Sequence, residues 1–280
     1  MTQRAFEERG AAALLDTHAV VDLTLLIAED LPAWWSHHMP FQHKTFNWFA
    51  DQPGPSGDLL TRAGPYQTRW YLMDEHTGTH FDAPSHFIPP PGSGLDAAGP
   101  AGDITSDKVP VEQLMGPAVV IDVPEDLAGG EPGVSPVITS DHVRQWESTN
   151  GDVAEGDVVL FRCGWDRRYV QGPEGDDFVF NVLVTATADG WPAPDPACAE
   201  YLLDKGVRCM GTDAPSMGAG EDGAPVHRAA LGRGAVFIEA LANLDALPTR
   251  GAFFIFLPVK VRQGTGAPGR AVAFLPGSGT

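Results

Sequence analysis

The chain has 280 residues, of which 43% are hydrophobic, so it can bury a large core, and disordered or fibrous classes are excluded. Acidic residues outnumber basic ones by 37 to 18, which gives a formal net charge of -19 at pH 7. This charge argues against nucleic acid and anionic membranes as partners and favours a small neutral or weakly charged ligand.

The cysteines and the first residues of the chain predict a cytoplasmic protein. The three cysteines have no CxxC spacing, which argues against both a disulfide framework and a thiolate zinc site. The N-terminal segment carries Glu7 and Glu8 and has only a short apolar run, unlike a secretory signal. No later apolar run approaches the roughly 20 residues that span a bilayer. We also find no repeat or charged linker, and we expect one domain over residues 1–280.

Short apolar runs rich in β-branched or aromatic residues predict buried strands along the chain. In chain order these runs are 18–27, 116–123, 156–164, 207–211, 235–240, 253–259 and 270–275. Helices are predicted over 140–148, over 194–206 with Asp195 as N-cap, and at the short stretch 226–231. Strands outnumber helices without regular alternation, which favours an α+β domain or a barrel-like sheet. The stretch 28–68, rich in Trp, Phe, His, Pro and Gly, is predicted to be a long ordered loop or a lid.

The densest group of metal-binding side chains lies in "HTGTHFDAPSHF", residues 76–87. His80 and Asp82 are two positions apart, which directs both side chains to one face of an extended segment, and Pro84 prevents a helix there. Gly78 would let His76 turn back toward the same point. Imidazole and carboxylate ligands suit Zn²⁺ or Mn²⁺, so His76, His80 and Asp82 are predicted metal ligands. Thr77 and Thr79 are predicted to support these ligands by hydrogen bonds.

A second group lies in 224–245, where Glu239 falls inside an apolar strand and His227 lies upstream on a short helix. A carboxylate buried without a partner is costly, so Glu239 needs a cation. His227 and Glu239 could complete a second metal position, or the same one, with Asp82 bridging. The alternative is a role without metal binding, in which His227 is exposed on its helix and Glu239 pairs with Arg228 or Arg233.

The run 76–87 resembles the HxGTHxDxPxHF signature of the cyclase-type metal-dependent hydrolases, a family that includes bacterial kynurenine formamidase and isatin hydrolase. Later blocks of the chain resemble the family in the same order, from about Val20 to Phe274. The resemblance implies a swivelling β/β/α fold with a mixed, barrel-like sheet, and a homodimer or homotetramer. In this chain Ala240 stands where the family usually has Asn, which puts the shape of the second metal position in question.

Residue by residue, the resemblance implies that His76, His80 and Asp82 bind one metal, and that Asp82, His227 and Glu239 hold a second ion in the formamidase branch. The isatin-hydrolase branch implies a single manganese. The number of ions per subunit, one or two, and their identity, Zn²⁺ or Mn²⁺, therefore stay open. His86 is then the catalytic acid/base; otherwise it anchors the loop by hydrogen bonds.

Aromatic side chains of the Trp-rich segment are expected to form the wall of a substrate pocket, with Trp35, Phe41 and Trp48 as the predicted contacts. An apolar wall with few cations favours a small cyclic amide, a lactam or an isatin-like ring, as the substrate. Three alternatives are open. The protein could be an arylformamidase acting on N-formylkynurenine, a cyclase or dehydratase of secondary metabolism, or a metal-stabilised scaffold. Asp213, before Ala-Pro at the end of a strand, is predicted to be structural.

Overall fold

The computed structural model describes residues 18–35, 38–51, 55–57, 64–124, 127 and 130–276. The strands are β1 His18–Asp22, β2 Gln42–Trp48, β3 Gln67–Leu72, β4 His80–Asp82, β5 Met115–Asp122, β6 Val137–Ile138, β7 Val158–Arg162, β8 Ala193–Pro194, β9 Cys209–Thr212, β10 Val236–Glu239, β11 Phe253–Pro258 and β12 Gly266–Pro276. The α-helices are α1 Ser140–Asn150, α2 Phe180–Leu183, α3 Pro196–Asp204 and α4 Ala224–Leu231. Every run predicted as a strand overlaps one, although β9 ends one residue later than predicted and β12 is longer at both ends.

The main sheet closes on itself. Its strand order is β1-β12-β11-β5-β7-β9-β10-β4, and β4 also pairs with β12, which completes a ring that leaves β1 outside. The long strand β12 permits this closure because its first residues pair with β4 and the later ones pair with β11 and β1. Strands β5, β7, β9 and β10 are parallel neighbours, whereas the other pairs are antiparallel. The predicted α+β fold with a mixed, barrel-like sheet is confirmed.

The two faces of the closed sheet carry different cores, as the alternation of side chains along a strand requires. In β5, Ala118 and Val120 join a cluster inside the ring that includes Phe254 and Phe256. The intervening residues, such as Val119, pack against the helices outside. Both clusters are almost fully buried, so the sheet is apolar on both faces.

Helices α1, α3 and α4 lie on the outer face of the sheet; α1 and α3 begin where the sequence predicts, whereas α4 begins at Ala224, two residues before the predicted start. The Asp195 side chain accepts a hydrogen bond from the Cys198 amide at 2.7 Å, and Pro196 occupies the first turn of α3. Thr139 caps α1 through a capping box with His142. Among the described residues, no helix is long and apolar enough to cross a membrane.

The prediction of a long loop or lid over 28–68 is wrong for residues 42–48 and 67–68, which lie in strands. Strands β2 and β3 form an antiparallel hairpin, with an irregularity between Thr45 and Asn47. The Asn47 side chain holds the distal end by donating to the Tyr66 carbonyl at 2.7 Å. Most of the hairpin is exposed. Its strands therefore lack the apolar/polar alternation that sequence patterns detect, because neither face is covered by the core.

Candidate metal centre

The first predicted ligands are placed by a tight turn that leads into β4. Gly78 adopts φ +64°, and a Cβ there would lie 2.8 Å from Ile27 Cγ1, so only glycine fits without a shift. The turn brings His76 toward the side of β4 that carries His80 and Asp82. The predicted shared face is confirmed, because Phe81 between them points the other way, into the barrel core.

The second group reaches the same point from the neighbouring strand and helix. In the antiparallel pairing of β10 with β4, Glu239 lies directly opposite His80. Directly opposite residues of such a pair bring their side chains close together. Helix α4 covers this face and supplies His227, whose Nε2 lies 3.4 Å from Asp82 Oδ2 and 3.2 Å from Glu239 Oε1. All five predicted ligands therefore converge.

The Asp82 carboxylate lies between the two groups. Its Oδ1 is 2.9 Å from His76 Nδ1 and 3.6 Å from His80 Nε2, while Oδ2 faces His227. Two sets of ligand atoms are close enough to hold an ion, His76 with His80 and Asp82, and Asp82 with His227 and Glu239. Each of these five residues is at most 5% exposed. The geometry thus offers two adjacent positions with Asp82 common to both.

Unpaired polar atoms at the centre of this cluster fit a metal ion. His80 Nε2 and both Asp82 carboxylate oxygens are buried without a hydrogen-bond partner, which is costly unless a cation binds them. Although burial alone would lower the pKa of His227, the neighbouring Asp82 and Glu239 carboxylates raise it to about 10. Burial would raise the pKa of Asp82, yet His86 and His76 hold it well below its usual value. The carboxylates therefore stay ionised and attract positive charge.

Backbone carbonyls orient two of the imidazoles. His80 Nδ1 lies 2.8 Å from the Gly78 carbonyl oxygen, and His227 Nδ1 lies 2.6 Å from that of Gly223. Donating Nδ1–H to a carbonyl leaves Nε2 free to bind a metal. The prediction that Thr77 and Thr79 support the ligands by hydrogen bonds is wrong for both hydroxyls. Thr77 Oγ1 is buried without a hydrogen-bond partner among the described residues. The Thr79 hydroxyl donates to the Ala240 carbonyl and accepts from the Leu25 amide, because the strand turns it toward the chain beneath the site.

Glu239 does not pair with Arg228 or Arg233, the ordinary alternative raised by the sequence. Its ionic partners are His80 and His227, and the Met217 amide donates to Glu239 Oε1 at 2.7 Å. Arg233 instead forms an ion pair with Asp204. Burial and the Asp82 charge would both raise the pKa of Glu239, but the neighbouring His227 and His80 imidazoles lower it.

His86 is the last residue of the short 3₁₀ turn Pro84–His86 and lies beside the predicted ligands. Its ring centroid is 4.0 Å from that of His76, and its Nε2 is 3.8 Å from Asp82 Oδ2. It is more exposed than the ligands, at 25% of its side chain. Burial lowers its pKa to about 4, and the Asp82 carboxylate, which acts in the opposite direction, does not offset this effect. His86 is therefore a neutral imidazole beside the metal ligands.

A cavity of about 260 Å³ opens onto the ligands and His86. Trp35 and Trp191 meet edge to face in its wall, with ring centroids 6.3 Å apart, and Leu183 adds to the apolar surface. Of the predicted substrate contacts, Trp35 lines this cavity. Phe41 and Trp48 do not: Phe41 packs on Tyr71, and Trp48 packs on Phe49 at the end of the hairpin. These two lie away from the cavity because the hairpin extends from the barrel.

Sequence reasoning missed several residues of the cavity. Trp191 is 1% exposed and donates its Nε1–H to the Gly218 carbonyl at 2.7 Å, which fixes the ring. His38 lies at the cavity and pairs with Asp74, with 3.3 Å between Nδ1 and Oδ1. Both come from irregular segments in which no periodic pattern marks a buried face. The Trp191-Pro192 pair before helix α3 was the one available signal, since a lone Trp in a loop needs a partner for its N–H.

Ala240, which departs from the family pattern, holds its place through the backbone. Its φ is +55°, in the left-handed region where Asn is more common than Ala. Its amide donates to the Ala214 carbonyl at 2.8 Å, and its carbonyl accepts from Thr79. The Asn side chain that the family usually has at this position is therefore not needed for the backbone path after β10.

The Cyclase family model, described as "Putative cyclase", matches residues 21–219. The chain belongs to the Cyclase family. It is 36% identical over 219 residues to isatin hydrolase of Roseibium aggregatum, covering 76% of this chain and 77% of that protein. It is 31% identical over 201 residues to kynurenine formamidase of Salinibacter ruber, covering 71% and 76%.

Solved structures of the Cyclase family share the fold over nearly the whole chain. An isatin hydrolase bound to the product analogue thioisatinate superposes with a TM-score of 0.76 at 28% identity, covering 99% of this chain and all of that one. Isatin hydrolase A from Ralstonia solanacearum gives a TM-score of 0.73 at 28% identity, covering 98% of both chains. A protein described as a metal-dependent hydrolase from Bacillus stearothermophilus gives 0.59 at 25% identity, with 92% and 98% covered.

Proposed function

We propose that this protein is a metal-dependent hydrolase that opens a small cyclic amide, such as a lactam or an isatin-like ring. The observation that carries the proposal is the meeting of two metal-ligand groups, which share Asp82, with His86 at one aromatic-walled cavity. Relatives named isatin hydrolase match in sequence and in fold. Pockets of this kind, mostly apolar with a few polar groups in one place, are typical of small-molecule sites.

For the metal we propose Zn²⁺ or Mn²⁺, one or two ions per subunit. Three imidazoles and two carboxylates without a thiolate suit either ion. Asp82, with one oxygen toward each ligand group, supports a second position beside the first. A divalent ion held here would supply Lewis acidity, which lowers the pKa of water and polarises a carbonyl.

His86 is the proposed acid/base. As a neutral imidazole, it can take a proton from the attacking water at its Nε2, the nitrogen that faces Asp82. The water oxygen bonds to the amide carbon while the C–N bond breaks. As that bond breaks, the same Nε2–H donates its proton to the departing nitrogen, which is otherwise a poor leaving group; the second proton of the water is lost when the new carboxyl group ionises. The ring thus opens to a carboxylate and an amine on one molecule.

The cavity walls support a flat, compact substrate. Trp35 and Trp191 present ring edges and faces, and Leu183 adds an aliphatic contact. Aromatic walls of this kind favour a planar ring over a flexible chain. The cavity of about 260 Å³ matches a molecule of one or two fused rings rather than a polymer.

One alternative has support of its own: an arylformamidase acting on N-formylkynurenine, since a relative named kynurenine formamidase is 31% identical. The same ligands and His86 would serve that reaction. A cyclase or dehydratase of secondary metabolism would use the Lewis acid differently and is distinguished by its product. A metal-stabilised scaffold is less well supported, because its ligands would be closed off rather than facing a cavity.

The proposal is tested by the turnover of three substrates. Protein is stripped with a chelator and reloaded with Zn²⁺ or Mn²⁺, then given isatin, a bicyclic lactam or N-formylkynurenine. We expect the cyclic amides to be opened with a gain of one water in mass. Faster turnover of N-formylkynurenine would favour the arylformamidase, and loss of water would indicate a dehydratase. Activity on none of the three would overturn the amidase proposal. Asp96→Asn, an exposed change, is the control.

We also propose that the protein assembles as a homodimer or homotetramer and acts in the cytoplasm. The hairpin supports assembly, since it exposes large aromatic side chains that monomeric proteins rarely display together. Phe46, Trp48 and Tyr71 are each 64% exposed, and Trp70 is 45% exposed. A second copy is the simplest cover for this surface.

A further inference from the structure

A single hydroxyl lies between the predicted acid/base and one of the metal ligands. Thr265 Oγ1, just before β12, is 3.3 Å from His76 Nε2 and 3.5 Å from His86 Nδ1. The same oxygen is 2.6 Å from Glu75 Oε1, and the Thr265 amide donates to Glu75 Oε2 at 3.0 Å. None of these contacts involves the ligand atoms that face Asp82.

The chain around Thr265 is shaped for this contact. A Cβ at Gly264 would lie 2.8 Å from Glu75 Oε2, and a Cβ at Gly266 would lie 2.5 Å from His76 Cε1. Real Cβ atoms do not approach so closely, so larger residues would push away either the carboxylate or the imidazole. Glycine at 264 thus leaves room for the Glu75 carboxylate, and glycine at 266 leaves room for the His76 ring. The Thr265 hydroxyl lies between these two groups.

Counting hydrogens fixes the direction of every bond in this group. A threonine hydroxyl has one hydrogen, and an ionised carboxylate only accepts. The short contact to Glu75 therefore takes the Thr265 hydrogen. The hydroxyl oxygen has only lone pairs left to offer to the rings, so both nitrogens that face it must carry hydrogen. These nitrogens are His76 Nε2 and His86 Nδ1.

The unprotonated nitrogens then both face the metal ligands. His76 Nδ1 lies 2.9 Å from Asp82 Oδ1, and His86 Nε2 lies 3.8 Å from Asp82 Oδ2. A lone pair at the first position can bind a metal, and a lone pair at the second can accept a proton. His80 and His227 obtain the same result from backbone carbonyls, so His76 and His86 are the two rings that depend on a side chain.

We propose that Glu75 and Thr265 are positioning residues that together fix the tautomers of His76 and His86. Glu75 determines where the Thr265 hydroxyl hydrogen points. The hydroxyl oxygen then determines which nitrogen of each ring carries hydrogen. One carboxylate thereby prepares a metal ligand and the acid/base at once. The effect on turnover rests on the proposed function, whereas the tautomers themselves can be measured without a substrate.

Two substitutions separate this role from simple packing. Thr265→Val keeps the shape and removes the hydroxyl, while Thr265→Ser restores it. Glu75→Gln is more telling because it is nearly isosteric. The Thr265 amide needs an acceptor, so the Gln oxygen takes the position of Oε2 and its NH₂ faces Thr265 Oγ1. The hydroxyl must then donate to a ring, which reverses a tautomer.

A matched control, Asp107, contacts the segment of chain that carries Thr265. Asp107 Oδ1 accepts from the Thr105 hydroxyl at 2.7 Å and from the Gln263 amide at 3.0 Å. This carboxylate has the same pair of partner types as Glu75 but leads to no imidazole. Asp107→Asn therefore reports what the loss of such a carboxylate does to the 261–265 segment alone.

The primary measurement is ¹⁵N NMR of histidine-labelled protein, with and without Zn²⁺, which distinguishes the two ring tautomers. We expect Glu75→Gln and Thr265→Val to shift His86 away from the Nδ1–H form and to weaken Zn²⁺ binding about 10- to 100-fold, a typical cost of losing such a partner. The turnover number should fall by a similar factor with KM unchanged, and Thr265→Ser and Asp107→Asn should behave like the wild type.

Unchanged tautomers in both Glu75→Gln and Thr265→Val would overturn the proposal, as would a Thr265→Ser variant as defective as the valine. If Thr265→Val does not fold, the Glu75→Gln tautomers still decide. If no amide is hydrolysed by the wild type while the tautomers shift as expected, the proposed function fails and the positioning role stands.

Discussion

Asp213 provides a direct test of how burial acts on this fold. It follows β9, is 1% exposed, and accepts from the Cys163 amide at 2.9 Å and the Gly164 amide at 2.8 Å. As predicted from its place before Ala-Pro, it holds backbone rather than facing the cavity. Burial raises its pKa to about 7, although these amides act in the opposite direction. We expect Asp213→Asn to remove a dependence of stability on pH.

The sign follows from the two pKa values. The carboxyl has a pKa of about 7 in the fold and an ordinary value of 3.8 in the unfolded chain. Between these pH values the Asp213 carboxyl group binds more protons in the folded state than in the unfolded chain. Its contribution to the free energy of unfolding is therefore greatest below pH 3.8 and is lost as the pH rises through 7. At 1.36 kcal/mol per pKa unit, the loss between pH 5 and pH 8 is roughly 2 to 3 kcal/mol. Asn has no such loss.

The assay is guanidinium unfolding of wild type and Asp213→Asn at pH 5 and pH 8, with the metal content matched. Other titrating groups cancel in the difference between the two proteins. We expect the free energy of unfolding of the variant, relative to wild type, to rise by roughly 2 to 3 kcal/mol from pH 5 to pH 8. The exposed change Asp96→Asn should show no such rise. Parallel pH profiles for wild type and Asp213→Asn would refute the argument.

Three further changes test the site and the assembly. His86→Ala should retain its metal yet lose at least about 100-fold in turnover number, the usual minimum for a general acid/base; near-normal turnover would remove His86 from the mechanism. Glu239→Gln should lower the metal content by one ion per subunit in plasma mass spectrometry, whereas an unchanged content would argue for a single ion without Glu239. Trp48→Ser combined with Trp70→Ser should shift sedimentation toward the monomer, and an unaltered assembly would show that the hairpin is not the contact.

The parts of the site that the sequence predicts are those that depend on local geometry. His80 and Asp82 share a face because a strand repeats every two residues, and Gly78 turns the chain because glycine adopts positive φ. Glu239 was recognisable because a carboxylate inside an apolar strand needs a cation. Each of these inferences uses only neighbours in the chain. The structure brings these side chains together as the local geometry predicts, because buried strands leave few alternatives to a side chain.

The walls of the cavity follow no such local rule. Trp191 lies next to the two-residue strand β8, and Leu183 ends the four-residue helix α2, so neither belongs to an element long enough to show a period. Phe41 and Trp48 have the composition expected of a pocket wall, yet they lie on the hairpin. Composition indicates that aromatic side chains need a partner, but only the fold decides whether that partner is a substrate or another surface.

Closure of the barrel explains why the metal ligands and their supports come from distant parts of the chain. Strand β4 has three residues and is hydrogen-bonded on both sides, to β10 and to β12. The β10 side brings Glu239 opposite His80, and the start of β12 brings Thr265 to His76. A short strand held from both sides has little freedom, which fixes the backbone that carries His80 and Asp82. The arrangement of these side chains therefore depends on sheet closure. The segment 76–87 alone cannot specify it.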